Sequence, residues 1–172
     1  FLRRFEIVET LGAGGSAIVM LARDRQLDRR VAVKVFAASI ATSSRLQQRF
    51  LAEAQAMAEL KHSAIVPIYD AGAEGALWYL VMEHCDGGTL ADWLAMNERR
   101  PTPPALAAKV IVQLADALRF AHARGRLHHD VKPANVLLER DADSTDETFP
   151  FVVKLADFGL SEQLSPSAPE QR

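Results

Sequence analysis

A few groups of residues in this chain have the types and spacing that chemistry on an anion or a metal would need. Gly12-Ala13-Gly14-Gly15 is a glycine run between two apolar, alternating stretches. Three readings compete for it. A dinucleotide fingerprint needs a helix directly after the glycines, whereas Ile18–Ala22 and Val31–Phe36 read as strand; a P-loop needs Gly-Lys-Ser/Thr, which is absent. The third is a glycine hairpin laid over phosphates, where missing side chains let backbone N–H groups approach an anion. Lys34 is one cation in an otherwise apolar strand, and Glu53 is one carboxylate on an otherwise apolar helix stripe. Unpaired burial of either would be costly, so each is the other's obvious partner. His128, His129 and Asp130 could suggest a metal centre, but only five histidines exist and no ligand spacing converges.

These residues need elements to hold them. Phe5–Thr10 and Ile18–Ala22 alternate as strands around the glycines, and on the next strand Val31, Val33 and Val35 share one face while Ala32, Lys34 and Phe36 share the other. Residues 43–61 change to a helical period, with Leu46, Phe50, Glu53, Met57 and Leu60 on one broad stripe. Ala64–Tyr69 and Ala76–Met82 are expected to form a strand pair joined through Asp70–Gly75. Thr89-Leu-Ala-Asp92 resembles a capping box and opens a short helix through Trp93. A long helix should run from Pro104 to Arg124, stopped at Gly125, with Lys109, Gln113, Asp116 and Arg119 as a narrow polar stripe. Val136–Leu138 and Phe151–Leu155 read as strands joined by an acidic loop, Glu139–Glu147, expected to be a solvated insertion.

Taken in chain order, the glycine run, Val31-Ala-Val-Lys34, Glu53, His128-His-Asp-Val-Lys-Pro-Ala-Asn135 and Asp157-Phe-Gly159 resemble the eukaryotic-like protein kinase family, in its serine/threonine branch found also in bacteria. The resemblance implies an α+β, two-lobed fold. Residues 1–83 would form an ATP-binding N-lobe of antiparallel sheet plus one helix, and residues 84–172 the hinge and part of a helical C-lobe. It implies transfer of the ATP γ-phosphate to Ser/Thr hydroxyls of proteins, with Mg2+ as the cofactor. By resemblance Asp130 is the catalytic base, Lys132 neutralises the transferring phosphate, and Lys34, held by Glu53, grips the α- and β-phosphates. Asn135 and Asp157 would hold the metal as hard oxygen donors. Gly12, Gly14 and Gly15 would cover the phosphates, Val19, Ala32 and Leu137 would sandwich adenine, and Met82 would be the gatekeeper before the hinge residues Glu83 to Cys85. Met57, Ile68, His128 and Phe158 correspond to an apolar stack that the family builds between its lobes.

Three departures accompany the resemblance. The third glycine of the phosphate loop is Ala17 or Ser16, depending on register; His129 stands where an Arg normally binds a phosphorylated activation loop; and only Leu160–Ser167 separate Asp-Phe-Gly from Ala168-Pro-Glu170. The last implies either a shortened activation segment or a coincidental Ala-Pro-Glu in a chain that is a fragment. An ATP-binding pseudokinase or scaffold, and a small-molecule phosphotransferase of similar fold, are the alternative functions. The Lys132-Pro133 pair argues against the second. Composition agrees with a soluble globular domain: 172 residues, 49% hydrophobic and 24% charged, with a net charge of −2 that gives no global field for nucleic acid. A single Cys85 and the lack of a secretory signal imply a cytoplasmic protein, with any membrane or sensor domain outside these residues. The longest apolar run, Ala76–Met82, is too short for a membrane span. A protein substrate is the expected partner, with self-association through an incomplete C-lobe.

Overall fold

The computed structural model describes residues 3–14, 17–36, 44–74, 77–97 and 101–158, with the side chains of residues 44–46 also outside the description. Gly15, Ser16 and everything after Phe158, including the Ala168-Pro-Glu170 motif, lie outside the described residues. The described chain divides into two units, one of residues 3–59 and 67–84 and the other of residues 60–66 and 85–158.

The first unit is a five-stranded antiparallel sheet with one helix. Its elements are β1 (Phe5–Ala13), β2 (Ala17–Asp24), β3 (Arg29–Phe36), α1 (Ser44–Ala58), β4 (Ile68–Glu74) and β5 (Leu77–Glu83), with the strands in the order β1-β2-β3-β5-β4. The expected parity of β3 holds. Val31 and Val33 pack with Phe5, Ala22 and Val81 in one cluster, with Val35 and Tyr79 against it. On the opposite face Ala32 lies across from Leu21 and Met82, Lys34 from Val19 and Leu80, and Phe36 from Ala17 and Trp78. Residues directly opposite in an antiparallel ladder share a face. α1 covers this second face through Phe50, whose ring lies 5.3 Å from both Phe36 and Trp78.

Two strands differ from expectation. β1 continues through Leu11, Gly12 and Ala13, with an irregularity between Thr10 and Gly12, so the glycine segment begins within the strand. The strand expected at Ala64–Tyr69 begins only at Ile68 and continues through the supposed connector to Glu74. Pro67, with no N–H to offer a ladder, ends the earlier segment, and Tyr79 explains the later one. Its ring lies across Gly72, where a Cβ would collide with the phenol oxygen unless the ring moved aside.

In the second unit, α2 (Leu90–Met96), α3 (Pro104–His122) and a 3-10 turn (Pro133–Asn135) accompany a two-stranded sheet of β6 (Val136–Arg140) and β7 (Phe151–Leu155). Thr89 and Asp92 form the anticipated capping box at α2. Residues 64–66, read as strand from the sequence, instead lie along the end of β7: Leu155 donates to the Ala64 carbonyl and accepts from the Val66 N–H. α3 buries Leu106, Val110, Leu114, Ala117 and Ala121, but its exposed arc is wider than the polar stripe and includes Ile111 and Val112, at 62% and 66% exposure. The acidic loop is more than a solvated insertion. Asp146 Oδ1 accepts the N–H groups of Thr148 and Phe149, and Phe149 is wholly buried against Trp93 and Phe151.

Candidate active site

In the first unit, Val19, Ala32, Lys34 and Met82 fall on one face of the sheet by register. Lys34 is 7% exposed, and a buried ammonium must be matched by acceptors. Glu53, half-buried, stands one helical turn beyond Phe50, the residue that seats α1 on this same face. Strand parity and helix period therefore bring the Lys34 cation and the Glu53 carboxylate to one side of the sheet. Glu83 ends β5 opposite Val31 and donates its N–H to the Pro67 carbonyl. Gly12 and Gly14 show no positive φ, and a Cβ at Gly12 would meet nothing within 4 Å, while one at Gly14 would touch only the Ala17 carbonyl at 3.8 Å. Among the described residues, neither backbone conformation nor packing accounts for these two glycines.

In the second unit a dense set of hydrogen bonds orders the segment from His128 to Asn135. Lys132 Nζ donates to Asp130 Oδ2 at 2.6 Å; the Asn135 amide donates to the same oxygen at 3.0 Å and to the Asp130 carbonyl at 2.8 Å. Lys132, and then Asn135, hold the Asp130 carboxyl below the usual carboxylate range against the opposing effect of desolvation. Since the Asn135 nitrogen is used in this way, its Oδ1 is left as the acceptor end of the amide. Next, the Ala156 N–H donates to the Asn135 carbonyl at 2.8 Å, which sets Asp157, one residue on, beside the Asn135 segment. A carboxylate and an amide oxygen are hard donors that suit Mg2+, an ion that keeps water and substrate oxygens for the rest of its shell.

His128 ties the same two segments together. Its Nδ1 accepts the Asp130 N–H at 3.2 Å and its Nε2–H donates to the Ala156 carbonyl at 2.7 Å, so its partners assign the Nε2–H tautomer. The ring is buried, with its centroid 4.5 Å from that of Phe158. His129 and Asp157 have φ of 64° and 62°, a left-handed conformation uncommon for non-glycine residues though one that His and Asp adopt more readily than most; exposed Asp28, at φ 48°, shares it. Leu137 is half-buried on β6 and bridged to Thr89. Gly87 and Gly88 hydrogen-bond to Leu138, and a Cβ at Gly87 would lie 2.7 Å from the Phe151 ring and 2.8 Å from the Leu138 carbonyl. Cys85 is buried and not in a disulfide.

Sequence reasoning missed the Ala156 peptide, which bonds on both sides, and Gly87. A backbone group leaves no mark in the choice of side chain, and Gly87 is explained only by the close approach of Leu138 and the Phe151 ring, both far along the chain. Among the described residues no helix is long and apolar enough to cross a membrane.

Comparison with known proteins identifies the family. The model of the protein kinase domain matches residues 5–172. Serine/threonine-protein kinase PknB of Mycobacterium leprae is 40% identical over 168 residues, covering 95% of this chain and 25% of that protein. Serine/threonine-protein kinase PrkC of Bacillus subtilis is 36% identical over 162 residues, covering 94% and 23%. The chain thus spans about a quarter of the length of these curated relatives. Among solved structures, the kinase domain of Mycobacterium tuberculosis PknI superposes with a TM-score of 0.75 at 29% identity, over 91% of this chain and 60% of that one. With the α+β architecture, the ordered Asp130–Asn135 segment and a family match over nearly its whole length, the chain belongs to the protein kinase domain family.

Proposed function

We propose that the protein of which this chain is part is an ATP-dependent serine/threonine protein kinase, with residues 1–83 as the nucleotide-binding domain and residues 84–172 contributing the hinge, catalytic segment and metal ligands. One observation carries the reading: Asp130, Lys132 and Asn135 form a single hydrogen-bonded unit joined through Ala156 to Asp157. Phosphoryl transfer leaves the protein mainly to position groups and to neutralise charge on peripheral oxygens. Asp130, held ionised, orients the acceptor hydroxyl and takes its proton, while Lys132 offers its charge to the transferring phosphoryl oxygens. Lys34, aligned by Glu53, binds the α- and β-phosphates. Gly12, Gly14 and Gly15 keep the loop free of side chains where phosphate approaches, which accounts for the two glycines that packing does not require. Val19, Ala32 and Leu137 offer apolar surface to adenine, Met82 limits the depth of its site, and backbone groups from Glu83 to Cys85 bond its edge. Asn135 and Asp157 would hold Mg2+, which would supply positive charge against the phosphate oxygens.

ATP as the donor and a lone buried thiol fit a cytoplasmic setting. An acceptor panel tests the reading. In the longest polypeptide containing this chain, Mg-ATP should phosphorylate Ser and Thr in protein substrates, and leave Tyr peptides and aminoglycosides unmodified. Transfer to an aminoglycoside alone would replace the reading with a small-molecule phosphotransferase. ATP binding with no transfer would replace it with a pseudokinase.

A further inference from the structure

Tyr69 occupies a bulge. On β4, Ile68 lies opposite Met82 and Asp70 opposite Val81, so one residue of β4 is supernumerary to the ladder with β5. Bulges of this kind redirect a side chain and are concentrated beside active sites. Tyr69 Oη donates to Glu83 Oε1 at 3.3 Å, and the Arg29 guanidinium lies 3.7 Å from the centroid of its ring. Arg29 Nε is buried without a hydrogen-bond partner among the described residues, so the ring face is what this end of the guanidinium rests on. A cation over the ring draws electron density from the phenol and makes its O–H a better donor to a carboxylate. Three strands, β3 through Arg29, β4 through Tyr69 and β5 through Glu83, are thereby linked side chain to side chain at the residue where β5 ends.

Glu83 is also held by its backbone, opposite Val31 and through its N–H on the Pro67 carbonyl. We infer that Tyr69 is a positioning residue for the purine. It fixes the Glu83 side chain, and so restricts the backbone from Glu83 to Cys85 to the conformation that bonds the adenine edge. The inference rests on the proposed function and adds to it a residue that never touches the nucleotide. Preorganising a binding segment improves affinity by removing the ordering it would otherwise undergo.

The test measures equilibrium binding of Mg-ATP and of adenosine, which has no phosphates, to the chain and its variants. Tyr69→Phe, which removes only the hydroxyl, should weaken both ligands equally, by about three- to tenfold. Lys34→Met should weaken ATP far more than adenosine. Glu83→Ala should reproduce the loss of Tyr69→Phe, and the double variant should be no weaker than the poorer single one. Melting of Tyr69→Phe within about a degree of wild type separates positioning from general damage. The inference is overturned by unchanged affinity in Tyr69→Phe, by losses that multiply in the double variant, or by a loss that follows a fall in melting temperature. If the wild type binds ATP and Tyr69→Phe does so equally well, only this inference falls. A wild type that binds neither ligand removes the proposed function and this inference with it.

Discussion

Two neighbours within five residues hold the Asp130 carboxyl below its ordinary pKa, and each leaves a measurable trace. Lys132 is the larger influence, followed by the Asn135 amide. A depressed carboxyl pKa favours the folded state above the ordinary value of about 3.9, and that contribution is lost as the pH falls through the depressed value. In Lys132→Met, the carboxyl titration of Asp130, followed by carbon NMR, should move up toward the ordinary range; an unmoved midpoint would mean that Lys132 does not set it. Lys34→Met should weaken Mg-ATP binding, measured by calorimetry, by at least about tenfold, the equivalent of one lost charge-assisted contact. His129 supplies no permanent guanidinium fork. Phosphatase treatment directed at Ser161, Ser165 and Ser167, which lie outside the described residues, should therefore change activity little. A large loss would show that another cation engages a phosphate there. The parity of Lys34 and the place of Glu53 were legible in the sequence because strand and helix periods are local. The Ala156 links were not, since they are made by backbone groups far apart in the chain.

Elements were legible where a local signal marked their ends. Thr89 and Asp92 announced α2, and Pro104 announced α3. β4 was misplaced because its residues, Ile-Tyr-Asp-Ala-Gly-Ala-Glu, look like a turn until Tyr79 is seen covering Gly72 across the ladder. Tertiary contact overrode local propensity there. The acidic loop shows the same limit. Its charges advertise solvent, while its anchor, Phe149, sits just past them and is buried with Trp93 and Phe151. Phe149→Ala should destabilise the chain by about 3–5 kcal/mol in urea unfolding, as for other large core truncations. Replacing exposed Glu147 by Gln should fall within about 0.5 kcal/mol of wild type. Comparable losses in the two would mean that the loop is held by its charges.

Across the whole molecule, the narrow polar stripe read from the sequence meets a helix α3 with one buried stripe and, among the described residues, an exposed apolar pair. Ile111 and Val112 are the exposed members, whereas Leu106, Val110 and Leu114 are buried as a core-facing stripe should be. Apolar patches of this sort favour association. The 172-residue chain should bind a hydrophobic dye and sediment as more than a monomer at tens of micromolar. Ile111→Lys with Val112→Glu should reduce both signals with little change in melting, and a monomeric, dye-silent wild type would contradict this. The fold class was legible because several motifs occur in one order along nearly the entire chain. Whether Asp130 and Asp157 serve phosphoryl transfer is read out by radiolabel transfer from γ-labelled Mg-ATP to a Ser/Thr protein acceptor, using the longest polypeptide that contains this chain. The account predicts incorporation in the wild type and a loss of at least about a hundredfold in both Asp130→Asn and Asp157→Asn, with their folding intact. Incorporation at near the wild-type rate in either variant would contradict it.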